Sequence, residues 1–210
     1  MNKVITIGRE FGSGGRELGR RLAEELGYEY YDKEIIVEIA KKTSLSEQYV
    51  QEIIEKSPHA LYPITVAHSF SYVDTYAMRQ TQSVFAAQEK VLKEMAEKSN
   101  CVIVGRCADV ILKDYHPFKI FVYASLDSRV KRCIKRNANT QDLTEKKVKK
   151  YIKSIDKGRA KYYSFYTGKK WGNSRNYTMC LDTGLLGYDT VVKLICEAAR
   201  SAEAFKEPEQ

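Results

Sequence analysis

The sequence predicts a doubly wound α/β protein, a five-stranded parallel sheet with helices on both faces. Three observations carry this expectation. Short β-branched, aromatic or otherwise apolar runs recur at residues 3–7, 28–31, 101–104, 118–123 and 178–181. The stretches between them place apolar residues three and four apart, the period of a helix packed on one face. The first run opens onto the glycine-rich stretch Gly8-Arg9-Glu10-Phe11-Gly12-Ser13-Gly14-Gly15, a strand-to-helix turn. A length of 210 residues suits one domain whose core needs no disulfide or metal staple.

Each element has its own signal. Leu18, Leu22, Ala23 and Leu26 form a stripe over 16–26, closed by Gly27 as a C-terminal cap. Asp32 is placed to cap a helix starting near Lys33, and Ser46 with Glu47 opens a short one to about residue 56. Residues 57–73, with Pro58 and Pro63, read as a mobile connection. A long helix is predicted over 74–98 from Met78, Val84, Phe85, Val91, Leu92 and Met95. Shorter helical patterns cover 109–113 and 127–137, Thr144 caps another to about 166, and 188–202 closes the fold before a frayed tail.

The net charge of +8 is local. Residues 129–175 hold 16 Lys and Arg against 3 Asp and Glu, so the remainder, with 19 basic and 24 acidic residues, is mildly acidic. One basic segment on an acidic body suits a compact polyanion such as a nucleotide, and no nucleic-acid recognition motif is present. Taken singly, the lysines read as a solvated helix face. Five cysteines in odd number without a C-x-x-C pair point to a reducing, cytoplasmic setting, with Cys101, Cys180 and Cys196 as core residues. Three histidines without metal-ligand spacing argue against a zinc site, and no run approaches the ~20 residues needed to span a bilayer. Nothing in the pattern bears on oligomeric state.

The glycine loop is a candidate phosphate cradle, because backbone N–H groups converge on an anion only where side chains do not obstruct them. Gly8, Gly12, Gly14 and Gly15 would form it. The usual pattern G-x-x-x-x-G-K-[ST] is broken, however, with Gly15 in place of the lysine and Arg16 and Glu17 where the hydroxyl should follow. Arg16 or Arg9 could replace the charge, and Ser13 could supply a hydroxyl to a metal ion. The competing reading is a tight turn whose glycines serve packing alone.

Arginines cluster downstream. Arg129, Arg132 and Arg136 share one helix face. Arg159 falls inside the apolar stripe of Val148, Ile152, Ile155, Tyr162 and Tyr166, where a guanidinium needs an anion: a bound phosphate, or Asp156 three residues earlier. Arg106 directly follows the strand at 101–104, at the carboxyl edge where open α/β sheets bind ligands, and Arg79 lies on the helix leading into it.

With these pieces in order, the chain resembles the cytidylate kinase-like family, within the nucleoside monophosphate kinase group of P-loop phosphotransferases. The resemblance runs through the glycine loop, Leu26-Gly27-Tyr28 with Tyr31-Asp32, Val102-Ile103-Val104-Gly105-Arg106, and Phe121-Val122-Tyr123-Ala124 leading to Arg129 and Arg132. It continues through Asp156 with Arg159, Tyr162-Tyr163, Tyr166-Thr167-Gly168, Trp171, Tyr177 and Leu181-Asp182-Thr183. It implies a P-loop kinase fold with core segments 1–32, 76–136 and 159–202, an acceptor-binding insertion at about 33–75 and a basic lid at about 137–158. It further implies ATP and Mg2+ as cofactors and CMP or dCMP as acceptor. Gly8, Gly12, Ser13, Gly14, Gly15 and Arg16 would bind ATP, Asp32, Arg79 and Arg106 would bind the acceptor, and Arg129, Arg132, Arg159 and Arg16 would neutralise charge on the transferring group. Cys107 stands where cytidylate kinases usually carry an acid, which leaves base specificity open. Two other functions compete: a noncatalytic nucleotide-binding protein, favoured by Gly15, and a kinase of another small substrate.

Overall fold

A computed structural model describes residues 2–55, 75–136 and 144–201, with the side chains of 75–78 left aside. The connection at 57–73, residues 137–143 of the expected lid and the tail lie outside the described residues.

Five strands, β1 (Val4–Arg9), β2 (Glu29–Tyr31), β3 (Cys101–Val104), β4 (Phe118–Tyr123) and β5 (Met179–Asp182), form one parallel sheet in the order β2-β3-β1-β4-β5. The long helices are α1 (Gly15–Leu26), α2 (Lys33–Thr43), α3 (Glu47–Glu55), α4 (Thr75–Lys98), α6 (Leu126–Arg136), α7 (Glu145–Thr167) and α8 (Tyr188–Arg200), with a single turn α5 (Ala108–Ile111) after β3. The doubly wound expectation is met. Alternation along β1 shows why: Val4 packs with α2, α3 and α4 on one face, while Ile5 and Ile7 pack with α1 and α8 on the other.

Several local expectations shift. β1 extends past Gly8 to Arg9, because Arg9 pairs with Val122 of β4 and the Glu10 N–H donates to the Val122 carbonyl at 3.1 Å. Asp32 sits at the N-cap of α2, yet its side chain makes no cap bond, since its carboxylate is held by Arg16. Thr144 does cap α7, accepting from the Lys147 N–H. That helix runs unbroken to Thr167, through the expected lid boundary at 158/159. Cys180 is half-buried rather than core, while Cys101 and Cys196 are buried. No described helix is long and apolar enough to cross a membrane.

Candidate active site

β1 ends between β3 and β4, the point where the winding of the sheet reverses and its carboxyl edge opens into a crevice. A cleft partly open to solvent lies there between Arg9, Gly105 and Arg106 at the strand ends, Glu55 of α3, and Arg159 and Tyr163 of α7.

Cations outnumber anions around it. Arg16 Nε meets Asp32 at 2.7 Å, with an Arg9 Nη2 to Asp32 distance of 3.9 Å. Arg159 Nη2 stands 3.8 Å from Glu55, and its Nη1 donates to the Arg9 carbonyl at 3.4 Å. Arg106 is 6% exposed, and its buried Nε and Nη2 have no hydrogen-bond partner among the described residues. Burial pulls the pKa of Arg106 and of Arg159 down, and that of Arg9 further, because burial there combines with repulsion from Arg159 and Arg106. Arg9, Arg106 and Arg159, with partly exposed Arg16 beside them, thus share Asp32 and Glu55 at this end of the cleft. Such a surplus of buried charge is costly until an anion enters.

The backbone beneath is strained as well. Gly105, Arg106 and Cys107 have successive φ values of 75°, 63° and 54°, a left-handed run that costs roughly 1–2 kcal/mol at each non-glycine position. The Gln88 side chain on α4 supports it, donating to the Arg106 carbonyl at 3.0 Å. Strain held in place this way is typical of ligand clamps.

Arg129 and Arg132 turn away from the cleft and grip the glycine loop. Arg132 donates to the Ser13 carbonyl at 2.8 Å and to the Thr183 carbonyl and hydroxyl at 2.6 and 3.0 Å. Arg129 donates to the Phe11 carbonyl at 3.2 Å and to Asp156 at 2.5 Å, with Glu10 3.5 Å from its Nε. Asp156 also accepts from the Phe11 N–H at 2.7 Å. The candidate internal pair of Asp156 with Arg159 is therefore replaced: the contact of α6 with α7 gives Asp156 to Arg129, and Arg159 takes Glu55. Arg136 is exposed at the end of α6.

Packing constrains the loop glycines too. A Cβ on Gly8 would come within 2.9 Å of Phe121, on Gly12 within 3.0 Å of Cys133, on Gly14 within 2.1 Å of the Tyr188 hydroxyl, and on Gly15 within 2.7 Å of the Arg9 stem. Ser13 is fully buried and its hydroxyl donates to the Glu10 carbonyl at 2.9 Å. No cluster of three or more metal-ligating acids, histidines or cysteines exists among the described residues. Arg79 is exposed on α4, about two and a half helical turns before Gln88.

The other end of the cleft is aromatic and acidic. Trp171, Tyr177 and Tyr163 line it with Asp109, which accepts from the Tyr163 hydroxyl at 2.6 Å and whose carboxyl pKa is raised by burial. Phe121 packs behind, edge-on to Trp171. Sequence reasoning passed over Glu55 and Asp109 and left Arg9 a conjecture. Asp109 carried a signal, an acid flanked by Ala108, Val110 and Ile111 in an apolar run; Glu55, at the end of an amphipathic helix, carried none.

A sequence profile described as the cytidylate kinase-like family matches residues 4–185. Among solved structures, an uncharacterized protein from Eubacterium ventriosum is 30% identical, with a TM-score of 0.70 over 95% of this chain and 99% of that one. Shikimate kinases from Bacteroides thetaiotaomicron and, in complex with shikimate, from Acinetobacter baumannii share the fold at 16% and 17% identity. Their TM-scores are 0.54 and 0.52, over 93% and 94% of this chain and 97% and 92% of theirs. No curated protein matches the sequence.

Proposed function

The chain belongs to the cytidylate kinase-like family, and from that premise we propose that it transfers a phosphoryl group from ATP to a nucleoside monophosphate, with CMP or dCMP as acceptor. The observation that carries this reading is the buried surplus of guanidinium charge beside the glycine loop, with two donors of Arg106 unpaired among the described residues. Phosphoryl transfer asks a protein chiefly for positioning and for fixed cations around the moving group. Arg106 would hold the acceptor phosphate. Arg159, on the same cleft wall, would meet charge on the transferring group. Arg129 and Arg132 act one step back, shaping the loop of Gly8, Gly12, Ser13, Gly14 and Gly15 over which the donor phosphates would lie. Arg16 and Asp32 orient the cluster from behind, and exposed Arg79 would border the acceptor entrance.

The opposite end of the cleft fits a base. Aromatic walls favour a flat ring, and a carboxylate such as Asp109 accepts from an amino group like the one on C4 of cytosine. Magnesium bound with ATP would supply positive charge to the donor phosphates, with no protein ligand assigned. Residues 33–75 would border the acceptor and 137–158 would form the basic closure.

A coupled assay of ADP release with ATP, magnesium and a panel of monophosphates tests the reading. CMP or dCMP should give the highest kcat/KM; nucleotide binding without turnover of any acceptor would instead mark a noncatalytic nucleotide-binding protein. Arg159→Ala is expected to lower kcat by roughly 100-fold, the scale for loss of one preorganised charge at a transition state. Glu55→Gln distinguishes the roles. If Arg159 serves only its pair with Glu55, both variants should lose stability alike and leave kcat unchanged.

A further inference from the structure

We propose that Arg9 is the phosphate-binding cation of the glycine loop, replacing the lysine absent at position 15, and that Gly15 and Gly105 are glycines because its side chain occupies their Cβ space. This deepens the phosphoryl-transfer reading and rests on it. Arg9 is not a loop residue: β1 carries it in register with Val122, and the next N–H bonds the Val122 carbonyl. Its backbone is therefore fixed by the sheet before any ligand arrives.

From that anchor the side chain runs over two bare backbones. A Cβ on Gly15 would stand 2.7 Å from Arg9 Cβ, 2.9 Å from Arg9 Cγ and 3.0 Å from Val122 Cγ2. A Cβ on Gly105 would stand 1.5 Å from Arg9 Nη1. No lysine can extend from position 15 while Arg9 lies there. The missing lysine and the buried arginine are thus one substitution viewed from two positions, a cation moved from the first turn of α1 to the last residue of β1.

The guanidinium lines the cleft with Arg106 and Arg159. Asp32, at 3.9 Å, is beyond hydrogen-bond reach and balances the charge across a gap. A purely structural arginine would be expected in a close ion pair. Here the nearest carboxylate takes its short contact from Arg16 instead.

The test uses the full chain and ATP, with affinity measured by calorimetry and folding by circular dichroism. Arg9→Met, which keeps an apolar stem over Gly15, is expected to weaken ATP binding by ~10- to 100-fold, the range for charge-assisted bonds to phosphate, without loss of folded structure. Gly15→Lys alone should lower the melting temperature, because its side chain collides with Arg9. The double variant Arg9→Ala/Gly15→Lys should bind ATP at least tenfold better than Arg9→Ala.

Unchanged ATP affinity in Arg9→Met, or an effect confined to the monophosphate, overturns the assignment. A double variant no better than Arg9→Ala overturns the exchange of cation positions. Should the parent bind ATP in an Arg9-dependent way and yet turn over no monophosphate, the acceptor reading fails while the role of Arg9 stands.

Discussion

Arg106→Met is expected to make the protein more heat-stable and nearly unable to bind its acceptor. Arg106 is a liability to the fold: it is buried, its Nε and Nη2 have no hydrogen-bond partner among the described residues, and burial outweighs its attraction to Asp32 and Glu55. An apolar side chain of similar length removes the cost of burying those unsatisfied donors, about 1–3 kcal/mol. At roughly 2–4 °C per kcal/mol for a chain of this size, the melting temperature should rise by several degrees. The same change removes the donors aimed at the acceptor phosphate, so its KM should rise by about 100-fold with a smaller change in the KM for ATP. Thermal melts and steady-state kinetics on one preparation read both effects. A lower melting temperature with unchanged acceptor KM would assign Arg106 to the scaffold.

Gly105→Ala should be strongly damaging for the addition of a single methyl group. The position has a φ of 75°, where alanine costs roughly 1–2 kcal/mol. The added carbon would also lie 1.5 Å from Arg9 Nη1 and 2.6 Å from Arg9 Cζ, forcing a buried guanidinium to move. A total loss of about 2–4 kcal/mol in urea unfolding is expected, together with loss of turnover. Repeating the substitution in an Arg9→Ala background should leave only the backbone part. The difference between the two backgrounds is the coupling energy of the Gly105 and Arg9 positions. If the cost is equal in both, the clash does not govern the effect.

The sheet was readable because burial on both faces demands continuous apolar runs, and Val4, Ile5, Ile7 and Cys101–Val104 satisfy that demand locally. What escaped depends on partners distant in sequence. Arg9 after Gly8 reads as loop until Val122 is known to stand beside it. Asp32 obeys a local capping rule on paper, yet Arg16 on the preceding helix outcompetes the backbone for its carboxylate. Asp156 is three residues from Arg159 on one helix, but packing of α7 against α6 delivers it to Arg129. The arginines of the site were legible as types, because guanidiniums within an apolar stripe or at a strand end are anomalous wherever they occur. Which carboxylate each one meets was not.

The unbroken course of α7 has a thermodynamic consequence. Along one helix, Asp156 fastens the glycine loop through Phe11 and Arg129, Arg159 reaches the cleft, and Tyr163 holds Asp109 at its far end. A nucleotide that shifted this helix at the loop would carry Arg159 and Tyr163 with it. Such a shift would alter the affinity of the cleft for its ligand, and linkage would require the reverse effect to have the same size. Occupancy of either the loop or the cleft would become a term in the binding equilibrium of the other.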